Sequence, residues 1–183
     1  MDTHSRTRDL AYAALFAALT AVGALVSIPF IGPVPFTLQV LFVLLAGMVI
    51  GPRLGALSML AYLGLGLVAP VYAQGASGFA TLFGPAGGYL WGFVASAALV
   101  GAIAQRRRSL FALLVSGLAG LVPIYVLGAT WLQVQLGGAV GHVIWIGALQ
   151  FLPGDVLKAF IAAGAATALV SSPLGLPVLS RDR

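Results

Sequence analysis

The chain has 183 residues, of which 61% are hydrophobic and only 7% are charged. Soluble domains average roughly 45 to 50% apolar and about 25% charged residues, so this composition excludes a soluble domain and intrinsic disorder and indicates a bilayer-embedded protein. The sequence contains no cysteine, which excludes disulfides and thiolate chemistry. Its net charge of +5 is not arranged as a basic stripe with interleaved aromatic residues, so we expect no nucleic-acid partner.

In chain order, the apolar segments predict six membrane-spanning helices. A helix needs about 20 mostly apolar residues to cross a bilayer, which limits a chain of this length to about six or seven spans. The predicted spans are residues 10–31, 35–50, 54–69, 85–104, 110–129 and 153–170. We therefore expect an all-α integral membrane protein in which residues 1–183 form a single membrane domain.

The basic residues divide between the two sides of this arrangement. The connections 32–34, 70–84 and 130–152 contain no Lys or Arg. Because basic residues favour the cytoplasmic side, this pattern predicts that both termini are cytoplasmic and that the protein lies in the plasma membrane. The eight basic residues on the terminal side are Arg6, Arg8, Arg53, Arg106, Arg107, Arg108, Arg181 and Arg183.

The two longer outer connections have different compositions. Residues 71–88 contain five glycines and several polar side chains, which is typical of a functional loop. Residues 130–152 contain Trp131 and Trp145, whose rings favour the membrane interface. This second stretch predicts short interfacial helices and not a seventh span.

Asp155 and Lys158 are the only charged residues between Arg108 and Arg181. Three residues apart on a helix, they share a face and can contact each other or one ligand. A structural ion pair or a lysine reaching the interface would also account for them. Because ionisable residues inside spans are costly and usually functional, we favour a small ligand with hydrogen-bond donors and a carboxylate.

Gln39 and Tyr89 are further candidate ligand contacts at the outer ends of the second and fourth spans. A membrane-embedded glutamine can equally form a hydrogen bond between helices. An interfacial tyrosine can equally serve as an anchor. The sequence leaves both alternatives open.

The first predicted span has alanines on one broad side. Ala11, Ala13, Ala14, Ala17, Ala18, Ala21 and Ala24 fall on it, whereas Tyr12, Leu15, Phe16, Leu19, Val22 and Val26 fall on the other. Small residues let helices approach closely, so Ala14, Ala18 and Ala21 are candidates for contact with a partner helix. The same face could instead pack inside this protein.

Several catalytic chemistries lack their residues. No G-x-x-x-x-G-K-[ST] motif is present, so the chain is not expected to hydrolyse ATP by itself. Gly75-Ala76-Ser77-Gly78 resembles the G-x-S-G of rhomboid proteases, but His142 lies in an outer connection and not in a later span, so no suitable base is expected near Ser77. We expect no catalytic residues, no metal site and no cofactor.

Four motifs together resemble the BioY family, the substrate-capture or S component of energy-coupling-factor (ECF) transporters for biotin. The resemblance covers most of the chain. The motifs are Gly32-Pro33-Val34-Pro35-Phe36-Thr37-Leu38-Gln39; Leu45-Ala46-Gly47 with Gly51-Pro52-Arg53-Leu54-Gly55-Ala56; Gly84-Pro85-Ala86-Gly87-Gly88-Tyr89-Leu90; and Leu152-Pro153-Gly154-Asp155 with Lys158.

The resemblance implies a six-helix ECF S-component fold with a biotin pocket near the outer face, closed by outer loops. It implies that Asp155 and Lys158 contact biotin, which is the transported substrate and not a cofactor. It also implies that small residues of the first helix pack against a transmembrane coupling subunit that works with two ATP-binding-cassette ATPases. The alternatives are a channel or structural membrane protein with an internal Asp155–Lys158 pair, or an intramembrane enzyme.

Overall fold

The computed structural model describes residues 3–170, and the side chains of residues 6–169. Within this range the chain folds almost entirely into helices. Five of them are long and apolar enough to cross a membrane. The elements are α1 (Thr3–Leu25), β1 (Ser27–Ile28), β2 (Phe36–Thr37), α2 (Gln39–Val68), a 3₁₀ turn (Ala73–Gly75), α3 (Gly78–Leu82), α4 (Gly87–Ala104), α5 (Leu110–Leu136), α6 (Val140–Ile144), a π-helical turn (Trp145–Leu149) and α7 (Leu152–Val170).

Helix α2 contains the second and third predicted spans, joined by a reversal at Gly51. Gly51 has φ 80° and ψ −178°, a conformation that L side chains rarely adopt, and Pro52 follows it. A straight helix would separate Gly47 from Gly55 by about 12 Å. A Cβ on Gly55 would instead lie 3.3 Å from the Gly47 Cα. The two halves of α2 therefore run back along each other as two helices, so the five long elements comprise six helical segments.

The first predicted span ends earlier than its hydropathy suggests. Helix α1 ends at Leu25, and the apolar residues that follow form an antiparallel pair in which Ser27 lies opposite Thr37 and Ile28 opposite Phe36. The prolines at 29, 33 and 35 disfavour helical conformation in the residues that precede them. The expected end at residue 31 was therefore wrong. The connection to α2 is a β-hairpin over residues 26–38, and not the short loop 32–34.

Helix α5 continues beyond its predicted end. It begins at the capping residue Ser109, whose Oγ accepts a hydrogen bond from the Ala112 N–H at 3.3 Å, and ends where Gly137 takes φ 65°. Trp131 therefore lies in the last turns of this helix and not in the short helices expected for residues 130–152. The interfacial helices expected for residues 130–152 correspond to α6 and the π-helical turn.

The long helices pack around α2, which lies against α1, α4 and α7, while α5 packs against α4 and α7. The loop residues Gln105–Ser109 and the Gly51 reversal lie at one end of this bundle. The β-hairpin, the loop from Ala69 to Ala86 and the first turn of α7 lie at the other end. The exposed arginines Arg53, Arg106 and Arg107 are all at the first end. The polar residues discussed next are at the second.

Candidate functional site

A cavity of about 180 Å³ lies at the end of the bundle opposite Arg53, Arg106 and Arg107. Its walls come from the β-hairpin, the loop between α2 and α4, the first turns of α2, α4 and α7, and the middle of α5. All four predicted ligand contacts, Asp155, Lys158, Gln39 and Tyr89, line this one cavity. In the sequence they belong to three separate motifs, and the fold brings them together.

Asp155 and Lys158 form an ion pair in the cavity wall. Lys158 Nζ donates to Asp155 Oδ1 at 2.6 Å, and each side chain is 5% exposed. Asp155 lies in the first turn of α7, where the helix dipole favours a negative charge. The pair therefore meets as its i, i+3 spacing predicts, and it also faces the space in which a ligand would sit.

Protein groups surround the Lys158 ammonium. Besides Asp155, it donates to the Thr37 carbonyl oxygen of the β-hairpin at 2.6 Å. It also lies 3.4 Å from the centroid of the Phe36 ring, a cation–π contact. Two oxygens and one aromatic face match the three N–H donors of an ammonium. Lys158 thus ties α7 to the hairpin and compensates the charge of Asp155.

The carboxylate of Asp155 has a second donor from another helix. The hydroxyl of Tyr125 on α5 donates to Asp155 Oδ2 at 2.6 Å. Tyr125 also lines the cavity. This residue was not among the predicted contacts, although a tyrosine within a predicted span was a usable signal.

A chain of hydrogen bonds connects Gln39 to the loop over the cavity. Gln39 Oε1 accepts from the Thr37 hydroxyl at 2.8 Å, and Gln39 Nε2 donates to the Tyr62 hydroxyl oxygen at 2.6 Å. Tyr62 donates in turn to the Val71 carbonyl oxygen at 3.1 Å. Gln39 thus lines the cavity and also makes the interhelical hydrogen bond considered as its alternative. Tyr62 is a further mid-span tyrosine that the sequence analysis missed.

Tyr89 lines the cavity, while its hydroxyl makes a hydrogen bond to another part of the protein. It donates to the Gly147 carbonyl oxygen in the π-helical turn at 2.6 Å. The ring packs so closely on α5 that a Cβ on Gly128 would lie 2.2 Å from its Cδ1 atom. Tyr89 therefore fixes the segment that leads into α7.

The loop between α2 and α4 contributes Gln74 to the cavity wall. This residue has φ 59° in the left-handed region, which is uncommon for a residue other than glycine. Tyr72 holds the start of the loop by donating to the Leu63 carbonyl oxygen at 2.7 Å, and Trp131 Nε1 holds its end by donating to the Gly84 carbonyl oxygen at 2.9 Å. Gln74 was not among the predicted contacts.

The alanine side of α1 is divided in the structure. Ala13, Ala17 and Ala24 are buried within the bundle, as is Phe16, which the helical projection had put on the opposite side. Ala14 and Ala18 are exposed, and Ala21 is half-buried. The expectation of a single alanine face was wrong, because the side of α1 that packs against the bundle includes some of these alanines and leaves others exposed. An exposed stripe of small residues remains.

A helical membrane protein with a largely apolar cavity at one end of its bundle, and a buried ion pair in the cavity wall, has the construction of a small-molecule binding protein. Among residues 3–170 there is no group of three or more His, Asp or Glu side chains that could hold a metal ion. The apolar walls together with the Asp155–Lys158 pair suit an organic ligand with hydrogen-bonding groups.

Comparison with known proteins identifies the family. The model of the BioY family matches residues 1–173, and the chain belongs to that family. It is 42% identical to "Biotin transporter BioY" of Thermotoga maritima, over 85% of this chain and 92% of that protein. It is 41% identical to "Probable biotin transporter BioY" of Pyrococcus horikoshii, over 86% of this chain and 93% of that protein.

The fold also matches a solved structure, described as the S-component for biotin from an ECF-type ABC transporter. The TM-score is 0.86 at 29% sequence identity, covering 94% of this chain and 95% of that one. The expected fold class, an all-α membrane protein with an ECF S-component fold, is confirmed.

Proposed function

We propose that the chain is the biotin-binding component of a vitamin uptake transporter, which captures biotin at the outer face of the plasma membrane. The observation that supports this most directly is the buried Asp155–Lys158 pair in the wall of a cavity, in a chain of the BioY family. A paired charge next to a cavity offers a ligand strong hydrogen bonds without leaving an uncompensated ion. The role is binding and not catalysis.

Asp155 is the acceptor for the ureido ring of biotin in this proposal. That ring carries two N–H donors, and the carboxylate retains lone pairs beyond those used by its protein donors. Lys158 balances the charge, and its donors are already directed to Asp155, to Thr37 and to the Phe36 ring. Its contribution to binding is thus to compensate the charge of Asp155 and to hold the carboxylate in place.

Gln39 and Tyr89 contribute to the same site as wall residues. Gln39 has its amide in the network with Thr37 and Tyr62, so it supports the hairpin beside the ligand. Tyr89 offers its ring as an apolar surface for the thiophane and valeryl parts of biotin. Gln74, on the loop over the cavity, is available for a polar group of the ligand.

The orientation of the chain follows from its charges. The exposed arginines of the Gly51 reversal and of the α4–α5 turn are at the end opposite the cavity. Basic residues favour the cytoplasmic side, so the cavity faces outward and both termini are cytoplasmic.

The exposed stripe on α1 is the proposed contact with a transmembrane coupling subunit. Ala14, Ala18 and Ala21 follow one another at spacings of four and three residues, which keeps them on one helix face. Their small side chains permit close approach of a partner helix. Two ATP-binding-cassette ATPases bound to that subunit would supply the energy that this chain has no motif to provide.

Calorimetric titration of biotin into the purified protein tests the function. We expect saturable binding by the unmodified protein and by Asp9→Asn, which removes a carboxylate far from the cavity. We expect Asp155→Asn to weaken binding by roughly 10-fold to 150-fold, the loss of one charge-assisted hydrogen bond. A chain that folds but does not bind biotin would contradict the proposal.

A further inference from the structure

The Asp155 carboxylate is held from two helices at once. Lys158, on the same helix, occupies Oδ1, and Tyr125, on α5, occupies Oδ2, each at 2.6 Å. The carboxylate cannot rotate about its Cβ–Cγ bond without losing both hydrogen bonds. Tyr125 therefore fixes the direction of the oxygens that remain available to a ligand.

The hydrogen-bonding capacity of this corner of the cavity is mostly of the acceptor type. A carboxylate offers about four lone-pair positions, and the two protein donors use two of them. A phenol oxygen that donates its proton still accepts. The ammonium of Lys158 is already surrounded by two oxygens and an aromatic ring. A ligand at this corner must therefore bring N–H or O–H donors.

We infer that Tyr125 is a positioning residue that sets the selectivity of the site for ligands with N–H donors. It acts through Asp155, by holding the carboxylate so that a ligand donor meets an oriented acceptor. This inference rests on the proposed function, because it takes biotin as the ligand. The competing explanation is that the Tyr125–Asp155 hydrogen bond only joins α5 to α7.

The substitution Tyr125→Phe separates the two explanations, because it removes the hydroxyl and keeps the ring. We expect biotin binding to weaken by roughly 5-fold to 30-fold, from the loss of one hydrogen bond that orients a charged acceptor. We expect only a small change in the thermal stability of the ligand-free protein. A hydrogen bond that merely joins the helices would give the opposite result, with lower stability and unchanged affinity.

Selectivity provides a readout that a structural role would not change. The probes are biotin and the two analogues that carry a methyl group on one ureido nitrogen. The unmodified protein should discriminate strongly against at least one analogue, because a buried acceptor without its donor is costly. In Tyr125→Phe, the affinity for biotin divided by the affinity for that analogue should fall by about 5-fold or more.

The control is Tyr12→Phe. Because Tyr12 lies on α1 outside the cavity, this substitution should leave affinity and selectivity unchanged. If the unmodified protein does not bind biotin, the proposed function fails. If it binds biotin and Tyr125→Phe retains both affinity and selectivity, the inference about Tyr125 is overturned alone. Failure of Tyr125→Phe to fold, under conditions in which Asp155→Asn folds, would also overturn it, since the hydroxyl would then be a structural tie.

Discussion

Replacing Lys158 by Met tests what the buried ion pair of the cavity contributes to stability and to binding. In the folded protein the Lys158 ammonium lies 2.6 Å from Asp155 Oδ1 and 2.6 Å from the Thr37 carbonyl oxygen, and both charged side chains are 5% exposed. Methionine has a similar length and no charge. The substitution leaves the Asp155 carboxylate buried with Tyr125 as its donor but without a compensating cation.

An uncompensated buried charge costs about 3 to 5 kcal/mol. Lys158→Met and Asp155→Asn should therefore each lower the stability of the ligand-free protein by an amount of this order. The double variant, Asp155→Asn with Lys158→Met, removes both charges. Its stability should return close to that of the unmodified protein, because a buried pair replaced by neutral groups of similar volume is often tolerated.

Binding should not recover in the double variant. Without the carboxylate, the ureido N–H groups lose a charge-assisted hydrogen bond worth about 1.5 to 3 kcal/mol, which is roughly 10-fold to 150-fold in affinity. The assay combines thermal unfolding of the ligand-free protein in detergent with calorimetric titration of biotin. Unmodified affinity in a well-folded double variant would refute the ligand role and would leave the pair as a structural bridge.

Three further expectations concern topology, the α1 stripe and the packing of Tyr89. Because the chain has no cysteine, Cys introduced at Ser77 should react with an impermeant reagent added outside, and Cys at Ser109 only after permeabilisation; the reverse would overturn the orientation. Ala18→Leu should reduce uptake but not biotin affinity, whereas equal loss of both would exclude a docking role. Gly128→Ala should lower thermal stability by about 1 to 3 kcal/mol through overpacking against Tyr89. Gly164→Ala is the control, because a Cβ at Gly164 would meet no atom within 4 Å, and it should not lower thermal stability. Equal effects of the two substitutions would contradict the close packing of Tyr89 on Gly128.

The helices were largely predictable because hydropathy reports the number and length of apolar segments. The helix boundaries that were predicted wrongly are those that a property other than hydropathy determines. Residues 26–31 are apolar enough to continue α1, but the prolines that follow favour the extended conformation seen in β1. The last turns of α5 contain Trp131 and two glutamines, whose polarity lowers hydropathy without preventing a helix.

The site was predictable to the extent that it depends on rare residue types. Asp155 and Lys158 stand out because charges are scarce in this chain. The hydrogen bond from Tyr125 to Asp155 depends on how α5 faces α7, which one sequence does not encode in any local pattern. The same holds for α1, where the helical projection gave the spacing of the alanines but not which of them α2 covers.

The central claim is that biotin binds in the cavity with its ureido ring on Asp155. A structure of the protein with biotin bound tests this most directly. We predict a ureido nitrogen within about 3.2 Å of an Asp155 carboxylate oxygen, with the ring next to the α7 end of the cavity. Biotin bound at another place in the molecule, or in the cavity with no contact to Asp155, would contradict the claim.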